Sequence, residues 1–108
     1  MATYRGAYRP RRSSARWTEG APEYVLACYD NKGKTCDRYT VYFGGSLWSP
    51  DMGRSVLYLG MSDNPNSPQG FSQWGEVAAY CRPSSREHVR WLDLPEHIRA
   101  HVIRRASE

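Results

Sequence analysis

Cysteine and long apolar runs are both scarce in this sequence, and each shortage excludes a class of protein. Three cysteines in 108 residues are too few for a disulfide scaffold, and their odd number favours a reducing compartment, so we expect a cytoplasmic protein. No stretch approaches the ~20 apolar residues of a transmembrane helix, so we expect no membrane partner. The sequence also lacks a P-loop, a G-x-G-x-x-G motif and a G-x-S-x-G motif, and it predicts no cofactor.

Phenylalanine is rare as well, yet the aromatic content as a whole is high. Two Phe stand beside four Trp and eight Tyr, and aromatic residues make up 13% of the chain. These large side chains can bury enough surface for a hydrophobic core, which excludes a wholly disordered chain. A chain of 108 residues has room for one domain of this kind.

Acidic residues are missing from the N-terminal end, where the net charge is concentrated. Residues 1–18 contain five arginines and no acid, whereas residues 19–108 contain ten basic and eleven acidic residues. The formal charge of +4 therefore comes from the first segment. That segment has no Val, Leu or Ile, so we expect residues 1–20 to form a flexible basic arm and residues 21–108 to form the folded domain.

The arm interleaves arginines with aromatic residues, a composition typical of segments that follow a nucleic-acid backbone. Arginine binds phosphate through two parallel hydrogen bonds and stacks on bases, and aromatic rings provide further stacking platforms. An alternative interpretation is a solvated tail that keeps a near-neutral body in solution. The candidate nucleic-acid-binding residues are Arg5, Arg9, Arg11, Arg12, Arg16, Tyr4, Tyr8 and Trp17.

Strand-forming patterns dominate the rest of the chain and are followed by one helical pattern. Tyr39, Val41 and Phe43 alternate with less apolar residues, which is the period of a half-buried strand. Four or five strands followed by a helix predict an α+β fold, a small antiparallel sheet with one C-terminal helix packed across one face. The strand candidates are residues 23–29, 35–43, 55–61, 76–81 and 88–92.

The first two strand candidates are predicted to form a hairpin with a three-residue loop. A type I turn beginning at Asp30, with Gly33 as the left-handed residue of a bulge, would close the loop and centre the pairing on Lys32. In that register Cys28 lies directly opposite Cys36, and both thiols lie on the same face. The other, apolar face of the hairpin would carry Val25, Ala27, Tyr39, Val41 and Phe43.

The C-terminal helix is predicted to begin after Asp93, which suits the N-cap position. Pro95 fits the first turn, where its missing N–H is not needed, and Glu96 completes a capping box with Asp93. The apolar face of the helix is predicted to pack on the sheet. That face carries Leu94, Ile98 and Val102 with Ile103 beside them, while Arg99, Arg104 and Arg105 are expected to face water.

Residues 60–76 are predicted to be a long polar loop that presents a binding surface. The segment is rich in proline and glycine, and loops longer than ~12–15 residues in compact domains are usually functional or disordered. Phe71 and Trp74 would pin the loop to the body. The alternative is a solvated connection without a role in binding. The candidate partner-binding residues are Ser62, Asp63, Asn64, Gln69, Phe71, Gln73 and Trp74.

Short motifs spread over the last three-quarters of the chain resemble uncharacterised small proteins of phage and bacteria. They are DRYTV at residues 37–41, GMS at 60–62, PQGF at 68–71 and LPE at 94–96. The resemblance carries no function and no site residue. It implies only a phage-type accessory protein.

Histidine and cysteine side chains are too scattered to predict a metal or catalytic site. His97 and His101 are four residues apart on the predicted helix, but no third ligand accompanies them, so we expect no metal. Cys81 and His88 would form a thiolate–imidazole pair if the fold brought them together. Cys81 ends an apolar strand candidate, so a place in the core is the better interpretation.

The residues leave three functional hypotheses open. The first is a non-enzymatic protein that binds nucleic acid or a nucleoprotein through the arm. The second is a phage-type accessory or inhibitor protein that binds a host protein through residues 60–76. The third is a small enzyme that uses Cys81 and His88.

Overall fold

A five-stranded antiparallel sheet with one long helix on one of its faces forms the described part of the chain. The computed structural model describes residues 12–32, 37–48, 55–63, 71–77 and 87–108. The predicted α+β fold is confirmed. The strands are β1 (Val25–Asp30), β2 (Tyr39–Phe43), β3 (Val56–Met61), β4 (Ser72–Val77) and β5 (His88–Val89), and the helices are α1 (Ala15–Thr18) and α2 (Glu96–Ala106).

The first four strands follow one another in space as they do in the chain, and the fifth joins the opposite edge. The order across the sheet is β4-β3-β2-β1-β5, and every neighbouring pair is antiparallel. The chain therefore returns from the β4 edge to the β1 edge before α2 begins. Two short 3₁₀ helices, Gly45–Leu47 and Trp91–Asp93, lie after β2 and β5.

The hairpin of β1 and β2 forms as predicted, but its predicted register is wrong. Cys28 lies opposite Val41 in the ladder and not opposite Cys36. β1 ends at Asp30 and β2 begins at Tyr39, so residues 31–38 connect the strands instead of the predicted three. Cys36 itself lies outside the described residues.

Polar side chains stabilise this wider turn. The Asp30 carboxylate accepts a hydrogen bond from the backbone N–H of Lys32 at 2.9 Å and pairs with Arg38 at 2.6 Å. The hydrogen bond from Arg38 lowers the pKa of Asp30. Asn31 Nδ2 donates across the turn to the Thr40 hydroxyl at 2.9 Å. Lys32 takes a left-handed φ of 52°, so the turn does not need glycine at that position.

An extra residue at the start of β1 places Ala27 and Cys28 on the sheet faces opposite to those predicted. The pairing of β1 with β2 shifts between Val25 and Ala27, which makes Leu26 a bulge. Because side chains alternate between the faces of a strand, the bulge puts Cys28 on the face of Val25 and Ala27 on the opposite face. The prediction that Ala27 shares a face with Val25 is therefore wrong.

The hydrophobic core lies between α2 and one face of the sheet. Leu94, Ile98 and Val102 are at most 2% exposed and belong to the same cluster as the inward residues of the strands. This confirms that Leu94, Ile98 and Val102 pack on the sheet. Two further expectations for the helix are wrong, because Ile103 is 45% exposed and the side chain of Arg105, which was expected to face water, is only 23% exposed. Burying one such side chain stabilises the fold by roughly 1.5–3 kcal/mol. The buried members of the cluster are Val25, Cys28, Tyr39, Val41, Phe43, Leu59, Met61, Trp91, Leu94, Ile98 and Val102.

The helix α2 begins later than predicted, at Glu96, with Pro95 at its N-cap. Asp93 ends the preceding 3₁₀ helix and accepts hydrogen bonds from the backbone N–H of Arg90 at 3.1 Å and from its guanidinium at 2.9 Å. The side-chain hydrogen bond from Arg90 lowers the pKa of Asp93. The predicted capping box is wrong because the Asp93 carboxylate is bonded to Arg90 instead of to the first turn of α2.

The strand β4 lies largely inside the segment that was expected to be a loop. It pairs with β3 along its whole length, from Met61 opposite Ser72 to Val56 opposite Val77. The connection between the two strands is therefore residues 62–71, and the expected start of a strand at residue 76 is wrong. β5 is also shorter than expected, because the chain forms a 3₁₀ helix from Trp91.

Candidate functional site

A groove between α2 and the start of β4 brings together two regions that the sequence singles out separately. Its volume is about 540 Å³, and its lining consists of Phe71, His97, Ala100, His101 and Arg104. The four helical residues are spaced three or four apart, which places them on one face of α2. Phe71, at the end of the β3–β4 connection, forms the facing wall. The candidate loop and the two helical histidines therefore meet at one site.

His101 is the buried centre of a hydrogen-bond network that joins α2 to β4. Its Nδ1 lies 2.7 Å from Nη2 of Arg104, and its Nε2 lies 2.7 Å from the Ser72 hydroxyl oxygen. A guanidinium only donates, so Nδ1 accepts and the ring proton resides on Nε2. Nη1 of Arg105 donates to the same hydroxyl oxygen at 2.9 Å. The network fixes the tautomer of His101 and the positions of both arginines.

The imidazole of His101 is neutral at pH 7. Burial lowers the pKa of this ring, and the charges of Arg104 and Arg105 lower it further. The residue is only 6% exposed. Because an ordinary histidine already titrates near pH 6.5, a lowered pKa leaves the ring uncharged at neutral pH.

Ser72 and His101 do not form a nucleophile–base pair, although they are within hydrogen-bond distance. A general base must present a lone pair to the hydroxyl proton. Nε2 of His101 carries the proton instead, and the lone pair of Nδ1 is occupied by Arg104. The contact therefore supports packing and binding rather than covalent catalysis.

Of the two arginines near the groove, Arg105 has a carboxylate partner and Arg104 has none among the described residues. Arg105 forms an ion pair with Glu108 at 3.0 Å. Asp63 lies 3.9 Å from Nε2 of His97. Within the described ranges Arg104 has no carboxylate partner, and its guanidinium bonds only to His101. The charge of Arg104 is therefore available to an anionic ligand.

Phe71 and Trp74 both pack against the core, but Trp74 does so from a strand and not from the predicted loop. The rings of Phe71 and His101 meet edge to face, with their centroids 4.5 Å apart. Trp74 lies on β4, where its ring contacts Phe43 at 5.4 Å and lies 5.5 Å from the guanidinium carbon of Arg105. Of the other candidate loop residues, Ser62 and Asp63 follow β3, Gln73 lies on β4, and Asn64 and Gln69 lie outside the described residues.

The described part of the N-terminal segment lies against the sheet. Arg12 donates from Nε to the Val25 carbonyl at 2.9 Å and from Nη2 to two carbonyls just before β1 at 3.1 and 3.0 Å. The backbone N–H of Ser13 donates to the Leu26 carbonyl at 2.9 Å. These bonds hold α1 beside β1. The remaining candidates of the arm, Tyr4, Arg5, Tyr8, Arg9 and Arg11, lie outside the described residues.

Trp17 continues an aromatic stack at the β5 edge of the sheet. Its ring stacks on His88 with centroids 4.1 Å apart, and His88 stacks on Tyr29 at 4.9 Å. The guanidinium carbon of Arg16 lies 5.0 Å from the centroid of the Trp17 ring. Both ring faces of His88 are thus in contact with aromatic residues. Cys81, the candidate partner of His88, lies outside the described residues.

The row of rings continues across the sheet face opposite α2. Tyr42 meets Tyr29 edge to face at 5.6 Å and lies 5.7 Å from Tyr58 on the next strand. Tyr58 in turn lies over Gly75 of β4, where a Cβ atom would be 2.5 Å from the ring. The glycine therefore lets the Tyr58 ring lie along the sheet surface. Aromatic rings reach from β5 to β3 on this face.

Sequence reasoning missed Ser72 and Tyr58 as site residues. Ser72 is 29 residues from His101 in the chain, and no local pattern connects the two. Tyr58 had a usable signal, because a glycine inside a strand, here Gly75, marks a place where another group approaches the backbone closely.

Among the residues that the structure describes, no group of three or more His, Cys, Asp or Glu side chains is placed to hold a metal ion. No helix in the same part of the chain has the length and apolar character needed to cross a membrane. Comparison of the chain with protein-family models, curated proteins and solved structures finds no match.

Proposed function

We propose that the protein is a non-enzymatic nucleic-acid-binding protein that uses its basic N-terminal segment together with the aromatic face of the sheet. The observation that carries this proposal is the anchoring of Arg12 and Ser13 beside the stack of Trp17 on His88. The anchor and one end of the row of rings lie at the same edge of the sheet, and the arginine-rich residues 1–11 directly precede the anchor in the chain. Phosphate contacts and base stacking would then come from adjoining surfaces. The nucleic acid is either free or part of a nucleoprotein.

The phosphate contacts would come from arginines other than Arg12. The N–H groups of Arg12 already donate to three backbone carbonyls, which a phosphate would have to displace. Arg16 is exposed and lies over Trp17. The three further arginines precede the anchor in the chain and are Arg5, Arg9 and Arg11.

The stacking contacts would come from Trp17 and Tyr58, which are both half-buried and keep part of each ring exposed. Three strand spacings of ~4.8 Å separate β5 from β3, so the strand of His88, on which Trp17 stacks, lies about 14 Å from the strand of Tyr58. Bases reach such rings when they are unstacked, as in a single strand. We therefore expect single-stranded nucleic acid to bind more tightly than duplex.

The salt dependence of affinity tests the phosphate contacts. Titration of a fluorescently labelled single-stranded oligonucleotide gives log K at several salt concentrations. Four contacting arginines predict a slope of about −2.8 at ~0.7 per contact, and the triple substitution of Arg5, Arg9 and Arg11 by alanine should reduce it to about −0.7. Arg12→Ala should leave the slope near its native value and lower the thermal stability instead.

Substitution of the rings tests the stacking contacts. Tyr58→Leu or Trp17→Leu should weaken binding to the oligonucleotide by roughly 5- to 150-fold, since a base–aromatic stack contributes ~1–3 kcal/mol. The salt slope should not change, because stacking releases no ions. Ile103→Ala is the matched control, since Ile103 is an apolar side chain that is 45% exposed on α2, on the other side of the sheet.

Two results would count against the proposal. Absence of binding at ~50 mM salt would reject the nucleic-acid partner, because even non-specific electrostatic binding is strong under that condition. A salt slope that survives the triple substitution would place the basic site elsewhere, at Arg99, Arg104 and Arg105 of α2. Rejection would leave a phage-type accessory protein with a protein partner, which the resemblance to small phage proteins favours.

A further inference from the structure

Arg104 is a positioned cation without a carboxylate partner in the described part of the chain. Its Nη2 is held by Nδ1 of His101 at 2.7 Å, and His101 is held by Ser72 at 2.7 Å. A guanidinium that is fixed through one N–H keeps its other donors for a ligand. The neighbouring Arg105 differs, because Glu108 neutralises it at 3.0 Å.

The walls of the groove beside Arg104 are apolar or uncharged. Ala100 lies one helical turn before Arg104, and its small side chain leaves the floor of the groove open. Phe71 forms the facing wall and packs on the neutral ring of His101. A groove of about 540 Å³ has the size of an ordinary ligand pocket and accommodates side chains of a short peptide.

We propose that this groove binds an acidic peptide segment of a partner protein. An Asp or Glu carboxylate of the partner would lie on Arg104, and an adjoining apolar side chain would lie against Phe71 and Ala100. The two oxygens of a carboxylate match the planar fork of a guanidinium. The groove lies on the α2 side of the sheet, opposite the row of rings, so this site is separate from the proposed nucleic-acid surface.

The acidic side chains near the groove already face cations, which favours a single carboxylate over a phosphate backbone as the ligand. Asp63 lies 3.8 Å from Arg38 and 3.9 Å from His97, and Glu108 pairs with Arg105 at 3.0 Å. Arg104 is therefore the arginine of the groove lining that has no carboxylate partner among the described residues. A nucleic-acid backbone carries a charge at every phosphate and binds through several cations, whereas one carboxylate needs only one.

Selection from a displayed library of random heptapeptides, with the full chain as bait, tests the class of ligand directly. Selected peptides should be enriched in Asp or Glu next to a large apolar residue. The same selection with Arg104→Gln should lose the acidic enrichment, because glutamine keeps much of the side-chain length but not the charge.

Affinity of the most enriched peptide then tests the geometry. Arg104→Gln should weaken binding about 10-fold or more, and so should replacement of the peptide's acidic residue by its amide, since both remove a charge-assisted hydrogen bond. Ala100→Trp fills the groove and leaves Arg104 in place, so it should abolish binding even if Arg104→Gln perturbs the fold. Arg99→Gln removes the same charge outside the groove lining and should change the affinity less than about twofold.

Three outcomes would overturn the proposal: no acidic enrichment, an affinity that survives both groove variants, or displacement of the peptide by a single-stranded oligonucleotide. Failure here is distinguishable from failure of the nucleic-acid proposal. The groove variants should leave oligonucleotide affinity unchanged, and Tyr58→Leu should leave peptide affinity unchanged.

Discussion

Nδ1 of His101 accepts a 2.7 Å hydrogen bond from the guanidinium of Arg104, and this contact holds the ring in its neutral Nε2–H form. The opposite side of the ring reaches Ser72, the first residue of β4, at 2.7 Å. The apolar face of α2 supplies most of the docking energy but is not directional. The buried hydrogen bonds of His101 are directional, and they set the position of the helix along the sheet edge.

The pH dependence of stability tests the neutral state of His101. Its pKa is lowered in the folded protein, chiefly by burial, so the unfolded chain takes up the proton first as the pH falls. The stabilisation that the neutral His101 ring provides is complete above the ordinary histidine pKa near 6.5. It is lost as the pH falls from 6.5 towards the lowered pKa of His101 in the folded protein. The free energy of unfolding should therefore decrease between pH 7.5 and pH 5, by at most about 1.4 kcal/mol per pH unit from this one proton.

Urea unfolding of His101→Gln at both pH values is the informative comparison. The variant should be less stable than the native protein at pH 7.5, and the gap should narrow at pH 5. Ile103→Gln, which removes no titratable group from an exposed position of the same helix, should keep the native pH dependence. A constant gap for His101→Gln would mean that the pKa of His101 is the same in the folded and the unfolded chain.

The packing of α2 on the sheet is tested by truncating Ile98. This side chain is fully buried in the main core, so Ile98→Ala should lower the free energy of unfolding by about 2–5 kcal/mol. Ile103→Ala, at a position 45% exposed on the same helix, should cost no more than about 0.5 kcal/mol. Chemical denaturation of the two variants measures both values. Equal effects would show that α2 does not dock through this face.

The sequence predicted the elements whose hydrophobic spacing repeats and failed where a polar side chain had two possible partners. The stripe of Leu94, Ile98 and Val102 repeats every four residues, so its face was readable before the structure was known. Asp93 and Asp30 are both competent to cap or to close a turn. Asp93 is bonded to Arg90 instead of to the first turn of α2, and Asp30 is bonded to Arg38 as well as to the N–H of Lys32. These arginine contacts accompany the later start of α2 and the longer connection of the hairpin. Which partner each aspartate binds depends on the tertiary fold, which the spacing of residues along the chain does not encode.

The sequence predicted individual residues of the groove but not that they lie together. Phe71 and the pair of histidines on α2 were recognisable as unusual residues, but their meeting depends on where β4 begins. Residues 72–75 read as part of a loop because Gly75, a weak strand former, follows a stretch rich in proline and glycine. The strand β4 is completed by a tertiary contact, the Tyr58 ring lying over Gly75, which no window of local sequence contains.

Gly44 and Leu26 are in close contact on the sheet face opposite α2, so we expect the effects of substitutions at the two positions on stability to depend on each other. A Cβ atom on Gly44 would lie 2.7 Å from a methyl carbon of Leu26, and Leu26 is only 2% exposed, so it has little room to move. Gly44→Ala should therefore destabilise the protein by about 1–3 kcal/mol through overpacking. In a Leu26→Ala background the same substitution should cost less or become stabilising, and a double-mutant cycle measures the difference. Strictly additive effects would refute the contact.

The thiol of Cys28 should be unreactive in the folded protein. Burial raises the pKa of this thiol to about 12, with only a smaller opposing effect from the charge of Arg12, and the side chain is fully buried on the α2 face of β1. Because the thiolate is the reactive form, neither a rise in pH to about 9 nor an excess of disulfide reagent should label it. In a Cys36→Ser, Cys81→Ser variant, labelling should proceed only as fast as the protein unfolds and should accelerate with urea.

The same thiol tests the register of the hairpin. Cys28 is paired with Val41, five residues further along the chain than Cys36, so oxidation of the native protein should not join Cys28 to Cys36. Val41→Cys provides the positive control, because in the observed register it places a second thiol directly opposite Cys28. In a Cys36→Ser, Cys81→Ser background, a glutathione redox buffer with enough urea to allow transient unfolding should then form an intramolecular disulfide. The disulfide is detected as a loss of two free thiols in a protein that keeps the mass of a monomer. A native Cys28–Cys36 disulfide that forms without loss of stability would restore the three-residue turn and overturn the wider one.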